Sequence, residues 1–150
     1  IERYGHGEKA FAVFSFTAYG TPMLYSGQEV GLNKRLKFFE KDTISWEDPG
    51  NYFAFYQKLN QLKADNPALW NGGYGAMPEK LEDGNLEVFT FRRTKDQNTV
   101  IGIINMTGKA QTIKLNQTDI PSSYTDAFTG ISLATGEIKL TPWQYLILTD

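Results

Sequence analysis

The polar pair Gln28 and Glu29 is the arrangement in this chain best placed to meet a ligand. It follows a short apolar run, Met23-Leu24-Tyr25, with turn residues on both sides, Gly20-Thr21-Pro22 before and Ser26-Gly27 after. Such a run suits a strand buried on both faces. The rim past the C-terminal end of a strand of that kind is where barrels and open parallel sheets gather their binding residues. Gln28 and Glu29 are therefore the candidate binding residues. Glu29 has two readings: a carboxylate that braces a binding wall through hydrogen bonds, or a structural carboxylate paired with a backbone donor or an arginine. Glu40 and Asp42 fall in a polar loop and read as solvated charges. His6 is the only histidine and reads as a surface residue. The chain has no Glu-x-x-His spacing, no Asp-rich calcium loop of the EF-hand type, no Gly-rich phosphate loop and no Gly-x-Ser-x-Gly elbow.

Several elements must hold these residues in place. Over residues 7–19, Phe11, Phe14 and Ala18 share one helical face, with Ala10, Val13 and Thr17 beside them. Gly20 offers a stop and Pro22 prevents continuation. Residues 23–25 then give the expected buried strand. Residues 31–48 lack clear periodicity and exceed the usual connection length, as functional or mobile loops do. Asp48-Pro49 supplies an N-cap and a first helical residue. Tyr52, Phe55, Tyr56, Leu59 and Leu62 then mark an amphipathic helix to about residue 64, ended by Asn66-Pro67. Through Asn71-Gly72-Gly73-Tyr74-Gly75 the composition turns from helix formers to turn residues, which puts a domain boundary between residues 73 and 74. Beyond it, strands are expected at 76–81, 86–92, 100–105, 111–115, 124–126, 137–140 and 144–148, with glycine-bearing turns between many of them. That spacing reads as an antiparallel sandwich, with 100–104 and 145–148 at its centre.

Composition excludes several classes. The chain has 150 residues, 41% of them apolar and 14% aromatic, enough for a packed core. Fifteen basic residues stand against seventeen acidic ones in no long like-sign run, which gives no reason to expect nucleic acid or a membrane as partner. There is no cysteine, hence no disulfide, thiolate metal site or cysteine nucleophile. No stretch approaches the roughly 20 apolar residues of a membrane helix. Asn-x-Thr triplets at Asn105 and Asn116 match the glycosylation pattern, a short motif common by chance. The chain begins at Ile1 in mid-pattern, so its natural start is expected elsewhere.

Taken together, several segments resemble the alpha-amylase superfamily of retaining glycoside hydrolases, glycoside hydrolase family 13. Pro22-Met23-Leu24-Tyr25-Ser26-Gly27-Gln28-Glu29-Val30-Gly31 is similar to the eighth strand of their (β/α)8 barrel and the loop after it. Ile44-Ser45-Trp46, Phe55-Tyr56-Gln57-Lys58-Leu59 and Asn66-Pro67-Ala68-Leu69 resemble the eighth helix and its surroundings. Asn85-Leu86-Glu87-Val88-Phe89-Thr90-Phe91-Arg92-Arg93 and Thr99-Val100-Ile101-Gly102-Ile103-Ile104-Asn105 resemble the opening strands of their C-terminal antiparallel domain. His6, in Gly5-His6-Gly7, does not match the family's Asn-His-Asp motif.

The resemblance implies an α+β chain: a helix–strand–helix remnant of a (β/α)8 barrel over 1–73, then an antiparallel β-sandwich over 74–150. It implies a parent that acts on α-1,4-glucans such as starch and maltooligosaccharides, using two carboxyl groups about 5–5.5 Å apart, one as nucleophile and one as acid/base. In that family these acids lie upstream of this kind of segment. No catalytic residue is therefore assigned here, and the chain alone is expected to be inactive. The rest of the barrel becomes its expected partner, and exposed apolar surface would allow self-association. No cofactor is expected in this portion, whereas the parent is compatible with calcium and with a secreted or periplasmic location. The alternative is a carbohydrate-binding sandwich without chemistry, in which Trp46, Trp70, Tyr74 or Trp143 would stack on sugar rings. Packing at element joints is the plainer role for these rings.

Overall fold

The computed structural model describes residues 4–116, 118–120, 124–133 and 136–150. A 3-10 turn over Gly5–Gly7 leads into helix α1 (Glu8–Thr17), and helix α2 spans Tyr52–Asp65. The strands are β1 (Glu79–Lys80), β2 (Val88–Lys95), β3 (Asn98–Asn105), β4 (Gln111–Leu115), β5 (Thr125–Asp126), β6 (Gly136–Leu140) and β7 (Tyr145–Thr149). Five of them form one antiparallel sheet in the order β1-β2-β3-β7-β5, and β4 pairs with β6 in a second. Strands expected from period-two alternation and glycine turns thus appear within a few residues of their expected places. β3 and β7, the most continuously apolar, sit at or next to the centre of the larger sheet.

Because side chains alternate across a strand, the larger sheet carries a core on each face. On one side Phe91, Val100, Ile104 and Ile147 pack with Ala10, Val13 and Phe16 of α1 and Phe55, Leu59 and Leu62 of α2. On the other, Val88, Ile101, Ile103 and Leu148 meet Ile113, Leu115, Ile138 and Leu140 of the smaller sheet. Gly102 is directly opposite Phe91 in the β2–β3 register. A Cβ on Gly102 would fall 2.2 Å from the Phe91 ring, so glycine there is what lets the ring lie flat across β3.

Three local features depart from expectation. Residues 21–25 are not paired into a sheet: Met23, Leu24 and Tyr25 are 79%, 38% and 61% exposed. The expected buried strand is here an uncovered segment without regular secondary structure, since no other strand among the described residues lies alongside it. Helix α2 starts at Tyr52 and not at Pro49, because Asn51 adopts a left-handed conformation (φ 54°) just before it. Asp48 still caps the helix from farther back, its carboxylate accepting from the Tyr52 and Phe53 backbone N–H groups at 2.7 and 2.8 Å. Helix α1 ends at Thr17, before Gly20, because Ala18 is already extended and the Thr17 and Ala18 carbonyls accept hydrogen bonds from buried Arg93.

Candidate binding rim

Two left-handed glycines shape the turn that carries Gln28 and Glu29. Gly27 (φ 96°) and Gly31 (φ 66°) flank a single 3-10 turn, Gln28–Val30. A side chain at Gly31 would collide with the Tyr52 ring at 2.4 Å, so the turn is seated directly on α2. Both candidate side chains fold back on their own backbone. The Gln28 side-chain oxygen accepts from Tyr25 N–H at 2.5 Å, and Glu29 Oε2 accepts from Gly27 N–H at 2.8 Å. A carboxylate receiving such a charge-assisted bond stiffens the turn around it.

The turn separates two surface cavities. Gln28 lines one with Glu8, Phe11, Phe14, Leu24, Tyr52 and Tyr56. Glu29 lines the other with Leu24, Phe53, Tyr56, Gln57 and Asn60. The first holds a feature that the sequence did not single out. Glu8 Oε1 accepts from the Tyr52 hydroxyl at 2.7 Å, while Oε2 is shut off from solvent without a hydrogen-bond partner. Burial first, and then the Glu8 carboxylate, hold the Tyr52 hydroxyl in its protonated form far above the usual tyrosine range. Burial likewise raises Tyr56, with Glu8 and Glu29 adding to it. Glu8 opens α1 and is not among the apolar positions that mark the helix in the sequence, so spacing alone could not reveal it.

Past the turn, Asp42 organises the loop that sequence reading treats as loosely solvated. Its carboxylate accepts from Lys34 Nζ at 2.8 Å, Lys37 N–H at 3.1 Å and Thr43 N–H at 2.7 Å. These bonds, that from Lys34 foremost, hold its pKa at about 2. Lys37 Nζ pairs with Glu40 at 2.8 Å. Asp42 is thus a loop anchor, whereas Glu40 remains exposed. At the tip Phe38 and Phe39 are 85% and 93% exposed and meet edge to face, their centroids 4.7 Å apart.

The remaining sequence candidates are dispersed. His6 is exposed in the first turn. Trp46 and Tyr74 are largely exposed, and Trp70 donates its indole N–H to the Ala64 carbonyl at 3.2 Å. Trp143 is half-buried, packed against Phe11 and over Gly7. Among the described residues no group of three or more His, Cys, Asp and Glu is arranged to hold a metal ion.

No family model matches the chain. In sequence it is 30% identical over 114 residues to a cyclomaltodextrinase from Thermoanaerobacter pseudethanolicus, covering 74% of this chain and 19% of that protein. It is 28% identical over 147 residues to neopullulanase 2 from Thermoactinomyces vulgaris, covering 91% of this chain and 24% of that one. In fold it matches a maltogenic alpha-amylase, AmyB from Thermotoga neapolitana, with a TM-score of 0.78 at 16% identity over 99% of this chain and 38% of the other. It also matches AmyP in complex with maltose, with a TM-score of 0.66 at 20% identity, covering 94% of this chain and 33% of that one. The chain therefore spans about a fifth to a quarter of the length of these curated relatives.

Proposed function

From its kinship with a C-terminal region of the alpha-amylase-like glycoside hydrolases, we propose that this chain is the supporting C-terminal portion of an enzyme that cleaves α-1,4-glucans. In this reading residues 1–73 complete the catalytic barrel and residues 74–150 form the sandwich that buttresses it. The observation that carries it is the coverage: one contiguous match takes in 91% of this chain but only 24% of neopullulanase 2. The reacting carboxylates then belong to the remaining polypeptide, where they would act as nucleophile and acid/base about 5–5.5 Å apart. The uncovered segment 21–25 has the exposed apolar side chains and free backbone edge that an adjoining strand would take up. Gln28 and Glu29 serve the substrate wall indirectly, by fixing the turn at its rim.

Maltoheptaose hydrolysis tests this proposal. The pure chain should release no reducing sugar, and activity should appear when it is co-expressed with the upstream polypeptide of its parent. Reducing sugar released by the pure chain would overturn the reading. So would hydrolysis by the upstream polypeptide at the same rate whether or not the chain is present.

A further inference from the structure

The chain contains a single Asn-Gly pair, Asn71-Gly72, and it lies in the turn that joins the helical segment to the sandwich. Asparagine followed by glycine is prone to attack by its own backbone, because no side chain on the following residue shields that residue's nitrogen. Gly72 and Gly73 are exposed, with open space where side chains would project. Lys95 Nζ donates to the Gly73 carbonyl at 3.2 Å, which puts a positive charge beside the turn. The fold also restrains Asn71. Its side-chain amide donates to Thr21 Oγ1 at 2.9 Å, and its extended backbone (ψ 158°) holds the Gly72 nitrogen out of line with the side-chain carbon.

We propose that Asn71-Gly72 is a self-modification site whose rate is set by the Asn71–Thr21 contact. Once that contact opens, the Gly72 nitrogen bonds to Asn71 Cγ and gives up its proton, and the side-chain nitrogen leaves as ammonia. Water then opens the cyclic imide at either carbonyl. The products are an ordinary aspartate or an isoaspartyl link, in which the backbone runs through the side chain. The reaction needs only this chain and water, whatever its parent cleaves. The isoaspartyl link adds a backbone atom to a turn that has no room for it. A Cβ on Gly75 would fall 1.8 Å from the Trp70 carbonyl oxygen, and that oxygen also accepts from Arg93 Nη2 at 2.9 Å. The modified turn gives up this packing, and the joint between the helical segment and the sandwich loosens.

Incubation of the whole chain at mildly alkaline pH, followed by peptide mapping with mass spectrometry, tests the site. Aspartate and isoaspartate are expected at position 71 ahead of every other asparagine, and faster in urea than in the folded chain. Thr21 is exposed, so Thr21→Val should melt like the wild type. Without the acceptor, its folded form should convert about threefold faster, the extra opening expected when one hydrogen bond is lost. In urea the two rates should coincide. The isoaspartyl fraction, separated by chromatography, should melt below Asn71→Asp, which carries the charge without the added atom. Asn71 left intact while another asparagine converts, equal rates in folded Thr21→Val and wild type, or an isoaspartyl fraction as stable as Asn71→Asp would each overturn the proposal.

Discussion

Arg93 is fully buried, and its guanidinium is met by carbonyl oxygens where a carboxylate would be the usual partner. Nε donates to Ala76 O, Nη1 to Thr17 O and Ala18 O, and Nη2 to Trp70 O, all between 2.7 and 2.9 Å. One side chain on β2 thus joins the end of helix α1, the Trp70 turn and the approach to β1. The C-terminal end of a helix dipole favours a cation there, and arginine stays charged despite its burial. Arg93→Met would keep the apolar stem but leave these carbonyls without their donor. It should cost about 3 kcal/mol, read as a lower urea midpoint. Sequence could not signal this residue, because Arg93 falls one position past the strand expected over 86–92, while β2 runs on to Lys95. Tyr145 makes a prediction at the same scale. Burial first, and then Asp126, push its hydroxyl up to about 12. A folded pKa raised above the unfolded one, near 10, means that the folded state holds the proton more tightly. That stability is fully present below pH of about 10 and is lost as pH rises through about 12. Urea midpoints measured across this window should fall, and Tyr145→Phe should flatten the decline.

The elements were legible wherever a period or a turn residue fixed them locally. β2, β3, β4 and β7 follow from period-two runs set between glycine and asparagine turns, and α2 from the spacing of Phe55, Leu59 and Leu62. Residues 21–25 were not legible in the same way, because an apolar run states that it should be covered but not by what. The rim turn was legible as a location. The inward bonds of Gln28 and Glu29 depend on Gly27 taking φ 96°, which glycine permits but does not declare. The start of α2 shows the same limit. Asp48-Pro49 looks like an N-cap and first residue, yet the chain makes another turn through Gly50 and left-handed Asn51 before the helix begins. Asp48 nevertheless satisfies two of the free N–H groups of α2. Asp48→Ala should therefore destabilise the chain by about 1 kcal/mol, whereas Pro49→Ala, outside the helix, should change its urea midpoint far less.

At the scale of the whole molecule, the five-stranded sheet makes the helical segment and the small sheet dependent on each other. Its two faces hold separate cores, but both are built from the same strands, with Val100 and Ile104 turned to the helices and Ile101 and Ile103 turned to β4 and β6. Losing either layer would expose one side of β3, the most heavily buried strand. A chain built this way should unfold in one step despite its division into a helical and a β portion. Ile104→Ala and Ile103→Ala test this from opposite faces. Each should cost about 3 kcal/mol, because each truncates a fully buried side chain in a close-packed layer. Each should also lower the transition seen by far-ultraviolet circular dichroism, dominated by α1 and α2, together with the amide-exchange protection of β4 and β6. If Ile103→Ala sped amide exchange in β4 and β6 alone and left the helical signal melting as before, the helical segment would be stable without the sandwich, and the shared sheet would not couple the two cores.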